Sequence, residues 1–573
     1  MNSPTNSTEY PAPELQESGE ELDSSLALLI LIGLLFLVML VSFFLQKKRI
    51  QTIHESMVAI FAGIIVGFVI NVAPGTVIQN MVTFKGSFFF NMLLPPIILS
   101  SGYDLNMKPF SRNFGTILIF AFVGTFISSL CTGSLVYLVG LTGLESVNPS
   151  FLDALIFGSI ISATDPVAIL AIFQQLKVDP NLYSIILGES MLNDAVAIVL
   201  SNSLADFRGH ELTMSFVLMG LGSFFANFLA SCGIGIAFGL STAVFLKYNP
   251  ELNSFTTLES CIVMLMAYAS YLFSMACNMS GIVSLLFCSI TLKRYAYNNL
   301  SYRSQQTTKS TFRILAQLAE NFIFLYLGIT LLTMPNLRFA PLYLIFTFIF
   351  VCISRLVAVF PLAKLINLCT RLIKGTEALP FTHQAMLSWA GLRGAVAFAL
   401  VADIQGEQAP EIKSTILMVA ILTTLIFGST TPRMLKALGI RTGIRAGYEK
   451  NGEGEEFTRH HMGNHYNPVQ EESPRGSVVD DHRVEMGPGR ESEEMSDSDD
   501  DEQGAGTGWR WFQKLDNNYI KPLFIRDHHL QRLEQPKENN IELGDDITSE
   551  TQSGDTIHSR GNDGTRKGEE HGR

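Results

Sequence analysis

Residues 187–200 read Leu-Gly-Glu-Ser-Met-Leu-Asn-Asp-Ala-Val-Ala-Ile-Val-Leu. The stretch lies in an apolar run of membrane-spanning length, yet it carries Glu189, Ser190, Asn193 and Asp194. Ser190, Asn193 and Asp194 stand at i, i+3 and i+4, so a helix presents them on one face. An ionised side chain at the centre of a bilayer costs about 2.5–3.5 kcal/mol even on the gentlest scale. A cluster kept at that cost points to function. The alternative is a buried polar network that only ties helices together, and it has to account for a second cluster of the same character.

That cluster is Ser162-Ala163-Thr164-Asp165-Pro166-Val167, inside an apolar run at about 151–173. Pro166 has no amide hydrogen and clashes with the preceding turn, so the helix is expected to break there. A break frees backbone carbonyls beside Asp165, and unwound carbonyls with a carboxylate at mid-membrane make a cation site in many transporters. A third cluster, Trp389-Ala390-Gly391-Leu392-Arg393-Gly394-Ala395, interrupts the run at about 383–402. The expected partner of a buried arginine is a buried carboxylate, and Glu189 is the candidate for Arg393.

The chain around these clusters has 573 residues, 48% of them hydrophobic. Its mean hydropathy is +0.28 despite a long polar tail, so apolar residues are concentrated upstream. They fall in repeated runs of about 20, the length that spans a bilayer as helix. The fold class is all-α, a polytopic membrane protein. The net charge of -12 comes largely from the termini, and nucleic acid is not an expected partner. The seven cysteines (131, 232, 261, 277, 288, 352 and 369) lie in or beside apolar runs without metal-like spacing. They read as small core residues, and no cofactor or fixed metal is expected.

Residues 1–24 are polar and acidic and contain the sequon Asn6-Ser7-Thr8, a glycosylation candidate if this end is lumenal or extracellular. The first apolar run, 25–45, is followed by Lys47, Lys48 and Arg49, which places the N-terminus outside and this loop in the cytosol. Further spans are expected at about 55–73, 86–103, 113–140, 151–173, 182–206, 214–246, 257–277, 279–297, 311–334, 340–370, 383–402 and 411–438, about thirteen in all. With that count, cytosolic loops and span ends hold about 19 Lys and Arg against 4 outside, the bias that a correct topology produces. The C-terminus is then cytosolic. The breaks at Asp165-Pro166 and Gly391–Gly394 lie seven spans apart, which gives them opposite orientations. Interrupted helices at matching positions in two halves are the pointer to an inverted-repeat transporter.

Span three carries Asn91-Met92-Leu93-Leu94-Pro95-Pro96-Ile97. Pro95 and Pro96 are expected to kink it, either for packing or as a wall of an ion pathway. Glu320-Asn321 in span ten and Arg355 in span eleven are further intramembrane polar groups, read as a structural pair of Glu320 with Arg355, or of Arg355 with Asp165. His383 is expected to be interfacial. From about 441 the composition turns polar, and 447–507 cannot bury enough apolar surface to fold alone. Within it, the serines of Ser496–Glu502 are phosphorylation candidates. The segment 508–530, with Trp509, Trp511, Phe512, Tyr519 and Phe524, is expected to dock on the membrane face or the protein's own cytosolic side. The expected organisation is therefore 1–24 lumenal or extracellular, 25–440 transmembrane domain, and 441–573 cytosolic tail, mostly disordered.

Together, Leu94–Leu99, Ala163-Thr164-Asp165-Pro166, Gly188-Glu189-Ser190 to Asn193-Asp194, Ser280-Gly281-Ile282, Glu320-Asn321 and Gly391-Leu392-Arg393-Gly394-Ala395 resemble the sodium(potassium)/proton exchanger family of cation/proton antiporters. The resemblance covers about 25–440. Within the family, Gly188–Val196, Ser280–Cys288 and Lys293-Arg294-Tyr295 are most similar to the endosomal, Golgi and vacuolar branch. The resemblance implies thirteen helices in a dimerisation domain and a six-helix core, two crossing broken helices, and a homodimer. It implies that Asp194 takes either one cation, Na+ or K+, or one H+. Asn193, Ser190, Asp165 and the Thr164 backbone would complete the cation shell, and Glu189 with Arg393 would form an ion pair holding the broken helices. Membrane lipid and regulatory proteins on the tail would be further partners.

The chemistry fits that implication. A carboxylate removed from water favours its protonated form, while a bound cation demands the ionised form, so the two ligands compete for one site. Because Asn193 is not acidic, the resemblance suggests one-for-one, electroneutral exchange, with protons leaving an acidic lumen as cytosolic cation enters. Two other classes compete. Two intramembrane aspartates suit an aspartyl protease dyad, but Asp194 lacks a Gly-x-Gly-Asp context and Arg393 has no role there. A cation channel is the other, but no selectivity-filter-like repeat appears.

Overall fold

The computed structural model describes residues 13–48, 54–72, 89–143, 147–165, 167–208, 214–333, 338, 340–373, 378–401, 404, 408–443 and 514–526. Asn6 and the aromatic residues Trp509, Trp511 and Phe512 lie outside them. The chain divides into a unit of residues 1–525 and a second of 526–573, of which only Arg526 is described.

The first unit is helical, and its helices fall on the expected runs: α1 (Pro13–Lys47), α2 (Glu55–Val72), α3 (Leu94–Tyr103), α4 (Phe114–Leu141), α5a (Phe151–Ser162), α5b (Val167–Leu176), α6 (Pro180–Ala205) and α7 (Met214–Tyr248). After these come α8 (Thr256–Ala276), α9 (Gly281–Thr291), α10 (Tyr302–Thr333), α11 (Pro341–Ile373), α12a (Phe381–Trp389), α12b (Ala395–Val401) and α13 (Ala409–Ala437). Among the described residues nine segments are long and apolar enough to cross a membrane. Of the other four of the thirteen runs, α1 carries Leu29–Leu45 as a shorter apolar helix among the described residues, α3 and α9 are continued by π-turns, Phe89–Leu93 and Leu292–Ala296, and α12 is broken.

The helices pack in two groups. In the first, α2 lies along α10, and α3, α7, α8 and α9 complete the bundle with α1 at its edge. Close approach is set by small residues, as in membrane helix pairs generally: a Cβ on Gly63 would strike the Leu325 carbonyl, and one on Gly328 the Ile60 carbonyl. In the second group α4 lies against α5a and α11, α6 against α5a, and α13 against α5b and α12b. The most apolar window of α6 is 89% buried, against 33% for α2 and α8. The stretch 187–200 is therefore on the innermost helix, enclosed by protein rather than lipid.

Pro95 and Pro96 lie in the first turn of α3, directly after the π-turn Phe89–Leu93, and having no amide hydrogen they leave carbonyls of that turn to other donors. Tyr268 and Tyr271 donate to the Asn91 and Phe90 carbonyls at 2.5 and 2.8 Å and hold that turn.

Part of the tail packs on the first group. Asp516, 0% exposed, accepts from Arg294 Nη2 at 2.5 Å and from the Tyr295 hydroxyl at 2.6 Å. Asn299 Nδ2 donates to the Phe524 carbonyl at 2.7 Å, and Lys247 Nζ to those of Pro522 and Leu523 at 2.6 and 3.1 Å. The Tyr295 and Phe524 rings lie 5.9 Å apart. The described cysteines are all free thiols.

Candidate functional site

Helix α5 stops at Ser162 and resumes at Val167, and α12 stops at Trp389 and resumes at Ala395. The two gaps meet: the Asp165 amide donates to the Leu392 carbonyl at 2.9 Å. Four helix ends therefore converge in the interior of the helical unit. The two N-terminal ends present unpaired amides and partial positive charge, the two C-terminal ends unpaired carbonyls and partial negative charge.

Each end has a charged partner. Asp165 serves both N-terminal ends, accepting from the amides of Val167 and Ala395 at 3.2 Å each. A Cβ on Gly394 would overlap the Asp165 carboxylate, so the glycine is what lets it reach the second helix. Arg393, 1% exposed, serves the α5a end, with Nη1 donating to the carbonyls of Ser162 and Ala163 at 2.7 and 3.2 Å. Arg355 serves the α12a end, with Nη2 donating to the Leu387 carbonyl at 3.0 Å.

The arginine partners differ from expectation. Glu189 pairs with Arg355, at 2.5 Å from Nη1 to Oε1 and 3.0 Å from Nη2 to Oε2, and not with Arg393. The Arg355 stem runs against Gly391, where a Cβ would sit 3.2 Å from it, so α11 passes close enough to claim Glu189. Arg393 is left with the carbonyls of the break. The alternatives of Arg355 with Glu320 or with Asp165 are excluded by the same geometry. Glu320 lies on α10 and bonds Ser56 at the start of α2. Nearby, Glu55 accepts from Asn321 Nδ2 at 2.6 Å and from Gln317 Nε2 at 3.3 Å. His383 stands 3.9 Å from Asp179 at the ends of α12a and α6.

Around the crossing, α6 contributes Ser190, Asn193 and Asp194. Ser190 Oγ donates to the Thr164 carbonyl at 2.6 Å. Asn193 Nδ2 donates to the Ser162 carbonyl at 3.3 Å and to Thr164 Oγ1 at 3.2 Å. Asp194 Oδ1 is buried without a hydrogen-bond partner, as are Nε and Nη2 of Arg393, and Asp194 lies within reach of the charges of Asp165 and Arg393. Buried polar oxygens are normally satisfied, so an unspent carboxylate oxygen among freed carbonyls is suited to a ligand that arrives and leaves. Among the described residues no group of His, Cys, Asp and Glu could hold a resident metal.

Three residues near the crossing had not been singled out from the sequence. Thr423 Oγ1 accepts from the Arg393 amide at 3.1 Å and Thr424 Oγ1 donates to the Arg393 carbonyl at 3.2 Å, so α13 grips the α12 break. Thr125 on α4 donates to Asn193 Oδ1 at 2.9 Å. A signal for it existed. Thr125, Ser128, Ser129 and Thr132 stand at i, i+3, i+4 and i+7, a buried polar stripe in an apolar run.

Comparison with known proteins gives a concordant picture. The model of the family "Sodium/hydrogen exchanger, transmembrane" matches residues 32–437. A Na+/H+ antiporter of Schizosaccharomyces pombe is 50% identical over 436 residues, 76% of this chain and 77% of that protein. The endosomal/prevacuolar sodium/hydrogen exchanger of Saccharomyces cerevisiae is 46% identical over 446 residues, 76% of this chain and 70% of that protein. Among solved structures, the sodium proton antiporter MjNhaP1 of Methanocaldococcus jannaschii superposes with a TM-score of 0.52 at 19% identity, covering 73% of this chain and all of that one. That last likeness concerns the fold.

Proposed function

This chain belongs to the sodium/hydrogen exchanger family, and from that premise we propose how its residues carry the exchange. It is a secondary transporter, not an enzyme, a multi-pass endomembrane protein that exchanges a monovalent cation for a proton. Asp194 is the carboxylate that takes one or the other. The observation that carries this assignment is its buried Oδ1 without a partner, beside a break whose carbonyls converge on α6. Proton and cation use the same oxygens, so binding of one expels the other. In either loaded state the site is close to neutral, which lowers the cost of moving it across the membrane.

Asp165, Ser190 and Thr164 shape the cation site around that oxygen, and Asn193, expected in the shell, holds the break beside it through the Ser162 carbonyl and Thr164 Oγ1. Asp165 is held by two backbone amides and contributes fixed negative charge. The Glu189–Arg355 pair and the Arg393 carbonyl contacts keep four helix ends in one arrangement while the ligand changes. With asparagine at 193, one charge moves each way per cycle and the exchange is electroneutral, with Na+ or K+ as the cation. Membrane voltage, worth about 2.3 kcal/mol per charge per 100 mV, then does no work. One pH unit, about 1.4 kcal/mol, balances a tenfold cation gradient.

We also propose the organisation of the whole chain. Residues 1–24 are lumenal, 25–440 form the exchanger domain, which works as a homodimer, and 441–573 form a cytosolic tail. Within the segment expected to dock, residues 514–525 anchor that tail to the ends of α7 and α9, supported by the Asp516 contacts.

The test uses purified protein in acid-loaded liposomes with a trapped pH dye, and Na+ or K+ added outside. The native chain alkalinises the lumen at a rate that valinomycin clamping of voltage does not change, and Asp194→Asn abolishes it. Voltage-dependent flux, or transport that survives in Asp194→Asn, overturns the single-carboxylate mechanism and favours a channel or Asp165.

A further inference from the structure

Helix α4 is not regular throughout. Residues Phe120–Gly124 form a π-turn, and Thr125 is the residue at which α-helix resumes. Such single wide turns inside helices often occur at functional sites, because the extra residue re-aims the side chains that follow. Here the turn packs against both α6 and α11, and it delivers the Thr125 hydroxyl, 1% exposed, to Asn193.

The consequence follows from the inventory of donors and acceptors. A carboxamide offers two hydrogens on nitrogen and one acceptor oxygen. Asn193 spends the hydrogens on the α5 break, at the Ser162 carbonyl and Thr164 Oγ1. Its oxygen faces Thr125 Oγ1 at 2.9 Å. Were the amide turned over, its oxygen would face the Ser162 carbonyl, two acceptors with no hydrogen between them. The Thr125 hydroxyl makes the observed orientation satisfied at both ends. Without that hydroxyl, the amide gives up a hydrogen bond at one end or confronts a carbonyl at the other.

We propose that Thr125 is a positioning residue for exchange: its hydroxyl locks the Asn193 carboxamide so that Asn193 braces the α5 break and stays out of the cation shell. In this arrangement Asn193 holds the Ser162 carbonyl and Thr164 in place and leaves the oxygens of Asp194 to the cation. Thr125 competes for its own proton, since its oxygen also lies 2.5 Å from the Ala121 carbonyl one turn back. A hydroxyl carries one hydrogen, so donation to Asn193 withdraws it from the Ala121 carbonyl. Valine, of the same shape, supplies no hydrogen for either. The same stripe on α4 is tied to α11 by Ser128, whose hydroxyl lies 3.3 Å from that of Ser354, next to Arg355. Helix α4 thus connects to both sides of the crossing through side chains rather than through backbone.

The inference rests on Asp194 being the exchanging carboxylate, and the experiment separates the two. Thr125→Val, Thr125→Ser, Thr132→Val and Asp194→Asn are compared with the native chain in acid-loaded liposomes, varying external Na+ and external pH. Thr132 belongs to the same buried stripe and its hydroxyl has no hydrogen-bond partner, so it controls for hydroxyl removal as such. The expected result is a KM for Na+ raised about tenfold in Thr125→Val, with the maximal rate changed less than twofold. A tenfold change corresponds to about 1.4 kcal/mol. Thr125→Ser and Thr132→Val keep the native KM. The pH at which exchange is half-maximal also moves in Thr125→Val, because cation and proton compete for one site. Native KM and pH profile in Thr125→Val, with Asp194→Asn inactive, overturn this inference alone. Equal damage in Thr125→Ser and Thr125→Val also overturns it, since packing and not the hydroxyl would then be responsible. Transport surviving in Asp194→Asn overturns the reading of the site itself. If Thr125→Val does not yield folded protein, Thr125→Ala is judged by the same criteria.

Discussion

Glu189 and Arg355 form a pair whose side chains are almost wholly enclosed. Removing one partner of such a pair leaves a buried charge without compensation and costs about 3–5 kcal/mol, whereas removing both leaves a polar but neutral contact. Arg355→Gln is therefore expected to lower the thermal unfolding midpoint in detergent more than the double variant Glu189→Gln/Arg355→Gln does. If the single variant is the more stable of the two, the pair is not what holds α11 to α6. Gly394 gives a second expectation. A methyl group there meets the Asp165 carboxylate, so Gly394→Ala forces Asp165 off the Ala395 amide. Exchange in liposomes should fall at least tenfold while the protein still elutes as a single species. Asp194, Asp165 and Asn193 were legible as a group because charge in an apolar run is expensive wherever the chain goes. The partners of Arg393 were not legible, since they are backbone carbonyls of the α5 break and not the carboxylate that its charge led one to expect.

At the scale of the element, the two broken helices were legible from Pro166 and from Gly391 and Gly394, since breakers act locally. That the breaks face each other, and that Asp165 caps both resumed helices, depends on how α5 and α12 cross. The π-turns at 89–93, 120–124 and 292–296 had no counterpart in the sequence reading, since a single inserted residue leaves the apolar run unchanged. They lie before the proline pair, beside Asn193, and under the tail segment. The tail segment carries its own prediction. Asp516→Ala removes the acceptor of Arg294 and Tyr295, so segment 514–526 should leave its seat. Limited trypsin digestion should then cleave after Lys514, which precedes Leu515, at least tenfold faster than in the native chain. An unchanged rate would mean that the Asn299 and Lys247 contacts suffice.

For the whole molecule, the two helix groups and the Lys and Arg bias make a topological prediction. In sealed vesicles with the cytosolic face outward, trypsin should remove an epitope placed at the C-terminus and spare one at the N-terminus. Both become accessible after detergent. Removal of the N-terminal epitope from intact vesicles would contradict the assignment of residues 1–24 to the lumen.

Thirteen apolar runs, their interruptions and the carboxylates inside them follow from the sequence alone. Each rests on a local quantity, the transfer cost of a side chain or the missing hydrogen of a proline. The remainder belongs to tertiary structure. Arg355 and Glu189 are 166 positions apart and Arg393 and Ser162 are 231 apart, and nothing local ranks such partners. Helix crossing ranks them, by bringing one guanidinium beside a carboxylate and the other beside the open carbonyls of a broken helix. The same crossing satisfies Asp165 and Asn193 through backbone and threonine, and leaves one oxygen of Asp194 unspent.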